Sequence, residues 1–340
     1  MLPRNPAAIL GTIAHEVLKE AGQRAGKDVF DPVQRWGQLV AGMNQELKQS
    51  WLESILAPLE TSARMYEVLR LRTWTRAAQI FSASRKRRFG APAVSGTGFE
   101  LWVESHDNSV GGWIDAVRKT KDGIVLSDFK SGEVLERPEG IPQKQLKESH
   151  CIQLKLYAAL YFQTYGGWPD TIQVVPLTGA KLEVPFTPEE CSQLLVEAAH
   201  TLKSLNADIT SALPSLYESL GTPSPQNCRF CSYRPVCPAY RKTRERGKPQ
   251  NGWPGDAFGM VWDINLLNDG RVNLRVSSDG GEKHTFRALS SLLLRHPAIQ
   301  AIRRGDYVGI FNARVSGDRA EFFEGPLTVL YKLIGPIHSE

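Results

Sequence analysis

The sequence predicts an α/β fold in which a mixed central sheet is flanked by helices, with an N-terminal helical region before it and a small β-barrel after it. Three observations predict this arrangement. Residues 6–90 carry helical periodicity, residues 96–205 alternate strand patterns with helical ones, and residues 256–340 carry mostly short strand patterns. A chain of 340 residues is also long enough for two domains.

The N-terminal region is predicted to be helical because its apolar residues recur at helical spacing. In residues 6–20 the large aliphatic side chains share one face. Residues 33–81 predict two or three amphipathic helices with a break near Pro58. We therefore expect a helical insertion over about residues 33–90 of the first domain.

The central region predicts a β-hairpin followed by helices and further strands. Residues 111–117 and 123–130 have strand character and flank a turn at Lys121-Asp122-Gly123. The other elements, in chain order, are an extended segment at 96–103, a helix at 148–165, two short strands within 171–186, a helix at 188–205 and a loop at 221–227.

The C-terminal region predicts a separate small barrel. A linker at 241–255 is basic and then rich in Pro and Gly. After it, strand patterns fall at 259–264, 271–277, 306–314 and 321–327, with a helix near 287–303. Strands on both sides of one helix predict an OB-like barrel over residues 256–340, which leaves residues 1–240 as the first domain.

Composition excludes some classes of protein. No apolar run reaches the ~18–20 residues of a membrane span, so an integral membrane protein is excluded and no membrane partner is expected. The first residues lack the apolar block of a signal peptide, which predicts a cytoplasmic protein. Lys and Arg number 41 against 36 Asp and Glu, a net charge of +5, which allows a nucleic-acid partner without requiring one.

Two strand carboxylates and a lysine form the first candidate site. Asp128 and Lys130 are two residues apart in a strand and so project from the same face. Asp115 lies in the neighbouring strand of the hairpin. Close carboxylates repel each other and favour a cation, and oxygen ligands suit Mg²⁺ or Mn²⁺. The alternative is a solvated surface pair with no chemical role.

Five motifs in order resemble the RecB-like branch of the PD-(D/E)xK nuclease superfamily, to which CRISPR-associated exonucleases belong. The resemblance covers about residues 9–240. The motifs are Gly11-Thr-Ile-Ala-His15, Gly112-x-x-Asp115, Asp128-x-Lys130, Gln153-x-x-x-Tyr157 and a cysteine cluster within 228–237. The resemblance implies a restriction-endonuclease-like core and metal-dependent hydrolysis of DNA phosphodiesters.

The resemblance also implies roles for particular residues. The metal ligands would be His15, Asp115 and Asp128, with the Phe129 carbonyl as a fourth. Lys130 would orient or polarise the attacking water. The supporting residues, which would position DNA or complete the site, would be Gln153, Tyr157 and the acidic residue Glu100.

The cysteine cluster is a second candidate site. Cys228, Cys231 and Cys237 lie within ten residues, which in a protein of the cytosol indicates a metal or cluster site before it indicates disulfides. The resemblance implies a structural [4Fe-4S] cluster with four thiolates. No cysteine precedes Cys151, so the fourth ligand is unidentified, or the chain start is truncated. Zinc and a degenerate cluster without metal are alternatives. Cys151 and Cys191 are expected to be buried structural residues.

Basic and aromatic residues suggest how DNA would bind. The basic runs include Arg85, Lys86, Arg87, Arg88, Arg241 and Lys242. Such runs bind phosphates without reading sequence, or they are solvated helix ends. In the barrel, Trp262, Tyr307 and Phe311 would either stack on unpaired bases or fill the core.

These observations predict a Mg²⁺- or Mn²⁺-dependent deoxyribonuclease. It would act on single-stranded DNA or DNA ends, in repair or anti-phage defence. The alternative is a non-catalytic DNA-binding or adaptor subunit with the same fold. The sequence has no G-x-x-x-x-G-K-[ST] phosphate loop, so unwinding would come from a helicase or defence-system partner.

Overall fold

The computed structural model describes residues 1–24, 29–87, 96–137, 142–211, 220–246, 252–278, 281, 283–316 and 321–333. The chain forms two compact units. The central unit comprises Ala7–Gly42 and Arg64–Thr210, and the terminal unit comprises Met1–Pro6, Met43–Ala63 and Ser211–Glu340. The two units alternate along the chain, and the domain limits predicted from sequence, 1–240 and 256–340, stay a prediction.

The helices match most of the helical patterns in the sequence. They are α1 Pro6–Gln23, α2 Pro32–Gln49, α3 Leu59–Ser62, α4 Tyr66–Arg87, α5 Glu148–Tyr165, α6 Pro188–Ser211, α7 Pro225–Arg229 and α8 Pro238–Arg246. The predicted helices at 6–20, 148–165 and 188–205 and the break near Pro58 are confirmed.

Two segments predicted to be irregular contain helix. Residues 225–227 of the predicted loop belong to α7, because Pro225 suits the first helical position and the Ser224 hydroxyl accepts a hydrogen bond from Asn227 N at 3.0 Å. Residues 241–246 of the predicted linker belong to α8. Residues 247–251 of that linker lie outside the described residues.

The central unit contains a mixed sheet, as predicted. Its strands are β1 Gly98–Glu104, β2 Gly111–Thr120, β3 Gly123–Lys130, β6 Thr171–Pro176 and β7 Leu182–Glu183, and a separate short pair is β4 Leu135–Glu136 and β5 Gln145–Leu146. The sheet order is β1-β2-β3-β6-β7. Strands β3 and β6 are parallel and the other neighbours are antiparallel.

Helix α5 covers one face of this sheet. It joins the parallel strands β3 and β6, and its side chains Leu154 and Ala158 are fully buried in one core with Ile114, Leu126 and Ile172. Helix α1 also contacts the sheet, since a Cβ at Gly22 would lie 2.4 Å from the Phe99 ring. Helices therefore flank a mixed sheet, and the α/β fold class is confirmed.

The terminal unit contains a seven-stranded sheet. Its strands are β8 Ala257–Leu266, β9 Val272–Ser277, β10 Lys283–Leu289, β11 Tyr307–Phe311, β12 Arg314–Val315, β13 Glu321–Phe323 and β14 Val329–Lys332, in the order β12-β13-β10-β9-β8-β11-β14. Among the strand pairs that the structure describes here, β10–β13 is parallel and the others are antiparallel. The predicted strands are present, whereas β10 and β14 were not predicted, and the OB-like identity of the unit stays a prediction.

The helix predicted near 287–303 is wrong. Residues 287–289 lie in β10, and residues 290–303 contain turns but no helix. Pro297 has no N–H and disfavours helical backbone in the residue before it. The apolar run Leu292–Leu294, which suggested a core-facing helix, is largely exposed.

Among the described residues, no helix combines the length and the apolar character that a membrane span requires.

Candidate active site

The backbone pairing of β2 with β3 ends next to the predicted carboxylates. Paired residues run from Thr120 opposite Gly123 to Ala116 opposite Ser127. Beyond that point the Asp115 side chain replaces the backbone, and its Oδ2 accepts a hydrogen bond from Phe129 N at 2.5 Å. The Asp115 carboxylate is therefore fixed beside the segment of β3 that carries Asp128.

Asp128 is a buried carboxylate with an incomplete set of partners. Only 4% of the residue is exposed. Burial, and then the charge of Asp115, raise its pKa from 3.8 to about 6, against the opposing effect of Lys130. Lys130 Nζ lies 2.8 Å from Asp128 Oδ2 and forms an ion pair with that oxygen. The pKa of Asp128 is nevertheless raised, because burial and the second carboxylate outweigh the ammonium. A buried carboxylate beside a second one favours an added cation.

A chain of hydrogen bonds links the lysine to α5. Lys130 Nζ donates to Gln153 Oε1 at 2.8 Å, and Gln153 Nε2 donates to Tyr157 Oη at 3.1 Å. A Cβ at position 112 would lie 2.8 Å from the Tyr157 ring, so Gly112 permits this close approach of α5 to β2. Burial, and then the charges of the nearby carboxylates, raise the pKa of Tyr157, so its hydroxyl stays protonated.

His15 and Glu100 lie on the α1 side of these carboxylates. His15 Nδ1 is 3.7 Å from Asp115 Oδ2. Burial lowers the pKa of His15, but the hydrogen bond and charge of Asp115, together with Asp128, outweigh burial and raise it. Burial and the charge of Asp115 raise the pKa of Glu100. Glu100 also has a φ of 52°, a strained conformation that occurs preferentially at functional sites.

The donor set fits a divalent cation held partly by substrate. In the described part of the chain, no three side chains of His, Cys, Asp or Glu form a ready metal-binding group. Mg²⁺, however, is commonly bound by one or two carboxylates, with waters and substrate phosphates as its other ligands. Asp115 and Asp128 supply those carboxylates, and Lys130 alone only partly balances their charge.

A sequence profile of the PD-(D/E)XK nuclease superfamily matches residues 3–238. The chain belongs to the PD-(D/E)XK nuclease superfamily. The match spans the whole central unit, including the β2–β3 hairpin and α5. No curated protein sequence matches the chain.

Membership in the PD-(D/E)XK superfamily makes phosphodiester hydrolysis the expected class of activity. The structure brings together all of the residues predicted for the site: His15, Glu100, Asp115, Asp128, Lys130, Gln153 and Tyr157. The Phe129 backbone is also at the site, where its N–H binds Asp115. The individual roles assigned from the resemblance stay predictions.

The cysteine segment of the terminal unit is organised around a buried arginine. Arg234 Nε donates to Asp256 Oδ2 at 2.8 Å, and Arg234 Nη1 donates to the Cys228 carbonyl at 2.6 Å. Tyr240 Oη donates to the same Asp256 oxygen at 2.7 Å. Arg234 also donates to Asn312 Oδ1, and Asn312 N donates to Asp256 Oδ1 at 2.8 Å. The two charges therefore neutralise each other, and the segment is fixed by protein groups.

The iron–sulfur or zinc site stays a prediction. The described residues contain no ready group of three ligating side chains at Cys228, Cys231 and Cys237. Cys228 is buried with Leu2 and Tyr240, and burial raises the pKa of its thiol, with Cys231 and Cys237 near enough to add to that effect. All five cysteines are free, and none forms a disulfide.

The two remaining cysteines lie in the central unit. Cys191 is buried, as expected, and burial raises its pKa to about 11. Cys151 is half-buried, rather than fully buried, against the core under α5.

The structure revises the predicted DNA-contacting residues. Of the two alternatives for the barrel aromatics, Tyr307 and Phe311 fill the core of the terminal unit rather than stack on bases, whereas Trp262 is 42% exposed. The Arg241 guanidinium lies over the rings of Phe258 and Tyr307, at 5.9 and 5.7 Å. Lys242 is half-buried, and DNA contacts by Arg241 and Lys242 stay predictions. The side chains of Arg85, Lys86 and Arg87, and the whole of Arg88, lie outside the described residues.

Sequence reasoning missed an exposed tryptophan pair next to the carboxylates. Trp102 and Trp113 are directly opposite each other on β1 and β2, with ring centroids 5.2 Å apart. They are 42% and 53% exposed, because their neighbours in the strands face the core under α5. Trp113 is two residues before Asp115, about 7 Å along the strand. Strand alternation around these tryptophans was the signal that could have found them.

Proposed function

We propose that the protein is a metal-dependent deoxyribonuclease that cleaves single-stranded DNA or DNA ends. The observation that carries the proposal is the buried carboxylate of Asp128 beside Asp115, whose charge and burial raise its pKa to about 6 although Lys130 Nζ is 2.8 Å away. A surface Asp–Lys pair would be solvated and would not need a cation. Asp128 is buried, and Lys130 only partly balances the two carboxylates.

The residues divide the chemistry between them. Asp115 and Asp128 would hold Mg²⁺ or Mn²⁺, which polarises the scissile phosphate and makes water a better nucleophile when bound. The Lys130 ammonium stabilises the charge that develops on the phosphate and orients the attacking water. Gln153 fixes the position of that ammonium through its 2.8 Å hydrogen bond, and Tyr157 fixes Gln153.

The tryptophan pair supports a preference for unpaired strands. An exposed indole offers a face on which any unpaired base can stack, at about 1–3 kcal/mol per base. Trp102 and Trp113 would place such a base close to Asp115 in β2. In a duplex the bases are stacked on each other and do not offer their faces.

The finer classification rests on the order of the motifs. The His15–Asp115 contact and the Lys130–Gln153–Tyr157 chain support placement in the RecB-like branch of the superfamily. A role in repair or anti-phage defence in the cytoplasm, with a helicase supplied by a partner, belongs to the same proposal.

A cleavage assay tests the proposal. Labelled single-stranded and double-stranded DNA are incubated with the full chain in Mg²⁺, Mn²⁺ or EDTA. We expect cleavage with either metal and none in EDTA. Asp128→Ala should lower the rate at least ~10³-fold, and Lys130→Ala ~10²–10³-fold, because each removes a charge that acts in the transition state.

The matched control is Asp122→Asn, which changes an exposed carboxylate at the turn of the same hairpin. It should cleave like the wild type. If the wild type binds DNA but cleaves no substrate with either metal, the enzyme proposal fails and the chain is a non-catalytic DNA-binding subunit.

A further inference from the structure

A cavity of about 640 Å³ lies in the central unit at the carboxyl ends of the parallel strands β3 and β6. The start of α1 and the start of α4 form its other walls. Ser131, which lines it, directly follows Lys130. A Cβ at Gly11, one turn before His15 in α1, would lie 2.9 Å from Ser131 Oγ. The cavity therefore lies next to the candidate active site along β3 and α1.

The cavity wall is largely apolar. The apolar lining includes Leu10, Leu69, Leu135, Leu177 and Leu182. Its position relative to α4 is fixed by Arg76, whose Nη2 donates to the Pro176 carbonyl at 2.9 Å, at the end of β6. A wall of this kind suits the face of a planar, uncharged group.

The uncompensated charge in the cavity is positive. Arg64 and Arg72 line it, both are exposed, and neither has a hydrogen-bond or ion-pair partner in the described parts of the chain. The one acidic lining residue, Glu133, is 2.8 Å from Lys144 Nζ, and that contact lowers the pKa of Glu133. Two guanidiniums at the rim of an apolar cavity suit phosphate groups attached to the planar group within.

We propose that this cavity binds an unpaired nucleotide adjacent to the bond that is cleaved, with the base against the apolar wall and phosphates on Arg64 and Arg72. The assignment rests on the proposed nuclease function. The volume lies in the ~300–1,000 Å³ range of small-ligand pockets, which is room for about one or two nucleotides. A paired base would have to leave its duplex to enter.

Two pairs of variants test the cavity. Gly132 lines it and has no atom within 4 Å of a built Cβ, so Gly132→Leu fills the cavity without a clash. Gly167 is equally open but lies outside the cavity lining, so Gly167→Leu is its control. The second pair is Arg64→Ala with Arg72→Ala, compared with Arg70→Ala, since Arg70 is ion-paired with Glu67 and stacks on Trp74.

Binding is measured first by fluorescence anisotropy of a labelled oligothymidylate in EDTA, where no cleavage is expected. We expect Gly132→Leu and the double arginine variant each to weaken binding at least 10-fold, and each control to stay within about 2-fold. The double variant should also reduce the salt slope of log Kd by about 1.4, since each phosphate contact to a single strand contributes about 0.7. Thermal unfolding of each variant verifies that it is folded.

Competition identifies which source of nucleotide the cavity accepts. A strand passing through the cavity predicts that thymidine 5′-monophosphate competes poorly with the oligonucleotide. A product-binding cavity predicts that the monophosphate displaces the oligonucleotide readily from the wild type and poorly from Gly132→Leu. Both results support an unpaired-nucleotide site.

Different experimental results would overturn the cavity assignment and the nuclease proposal. Metal-dependent cleavage with unchanged Kd and KM in both cavity variants would overturn the cavity assignment and leave the nuclease intact. Absent cleavage, with strand binding that the cavity variants weaken, would overturn the nuclease and retain the cavity. A wild type that neither binds nor cleaves single strands would overturn both.

Discussion

The candidate active site of the central unit and the cysteine segment of the terminal unit both carry residues that bind metals, but they balance charge in opposite ways. In the active site, Asp128 is buried beside Asp115, and Lys130 only partly offsets the two carboxylates. In the cysteine segment, Arg234 and Asp256 are equally buried, and the protein itself satisfies them. The unbalanced charge of the first region favours an added cation, whereas Arg234 and Asp256 balance each other without one. The presence of ligand residue types is a weaker signal for a metal than unbalanced buried charge.

The largest expected effect comes from breaking the balance in the cysteine segment. Arg234→Met leaves the Asp256 carboxylate buried without its cation, and loss of one partner of a buried pair costs about 3–5 kcal/mol. We expect urea unfolding to show that loss for the terminal unit. Arg229→Ala, which removes an exposed arginine stacked on Phe230, should cost less than about 1 kcal/mol. Equal losses in the two variants would show that the segment does not depend on the buried pair.

The next largest effect concerns the unbalanced carboxylate. In protein without divalent metal, the pKa of Asp128 is raised to about 6, so the folded state binds this proton more tightly than the unfolded state. The stabilisation that this bound proton gives the folded state is fully present below about pH 4 and is lost as the pH rises through about 6. Asp128→Asn should therefore be more stable than wild type by roughly 3 kcal/mol above pH 6, with no difference below pH 4.

Divalent metal should make the wild type more stable than Asp128→Asn. Mg²⁺ or Mn²⁺ should raise the thermal midpoint of the wild type and leave Asp128→Asn unchanged, because only the wild type has the ligand. Thermal unfolding at pH 4 and pH 8, with metal and with EDTA, measures both effects. A wild type that is more stable than the variant at pH 8 in EDTA would contradict the assignment of unbalanced charge.

The smallest expected effect comes from the cysteines. Cys231→Ala should change the free energy of unfolding by less than about 1 kcal/mol, because among the described residues its thiol belongs to no ready group of three ligating side chains. Elemental analysis of anaerobically purified protein should find well under one iron or zinc per chain. Stoichiometric iron, lost together with stability in Cys231→Ala, would restore the cluster that the family resemblance implies.

The sequence predicted those parts of the fold and site that depend on neighbouring residues. The β2–β3 hairpin and the helix 148–165 follow from strand alternation and a continuous apolar face. The proximity of Asp115, Asp128 and Lys130 follows from the hairpin alone. The failed helix near 287–303 had an apolar run, Leu292–Leu294, whose exposure no local pattern reveals.

Features that the sequence could not supply depend on residues far apart in the chain. The spacing of the three cysteines is visible in the sequence, whereas the contacts of Arg234 with Asp256, 22 residues away, and with Asn312, 78 residues away, are not. The cavity beside Lys130 combines segments of α1, α4 and the loops after β3 and β6. Such sites exist only after the segments have packed.

The bond between Asp115 Oδ2 and Phe129 N has a further consequence for how the protein avoids misfolding. A slip of β3 by one residue against β2 would turn Asp128 and Lys130 to the opposite face of the sheet and would destroy the site. The same slip would withdraw the Phe129 amide from Asp115. The acidic residue proposed for catalysis therefore also selects the correct alignment of the strand that carries its partners, so that accurate folding and a competent site are one requirement.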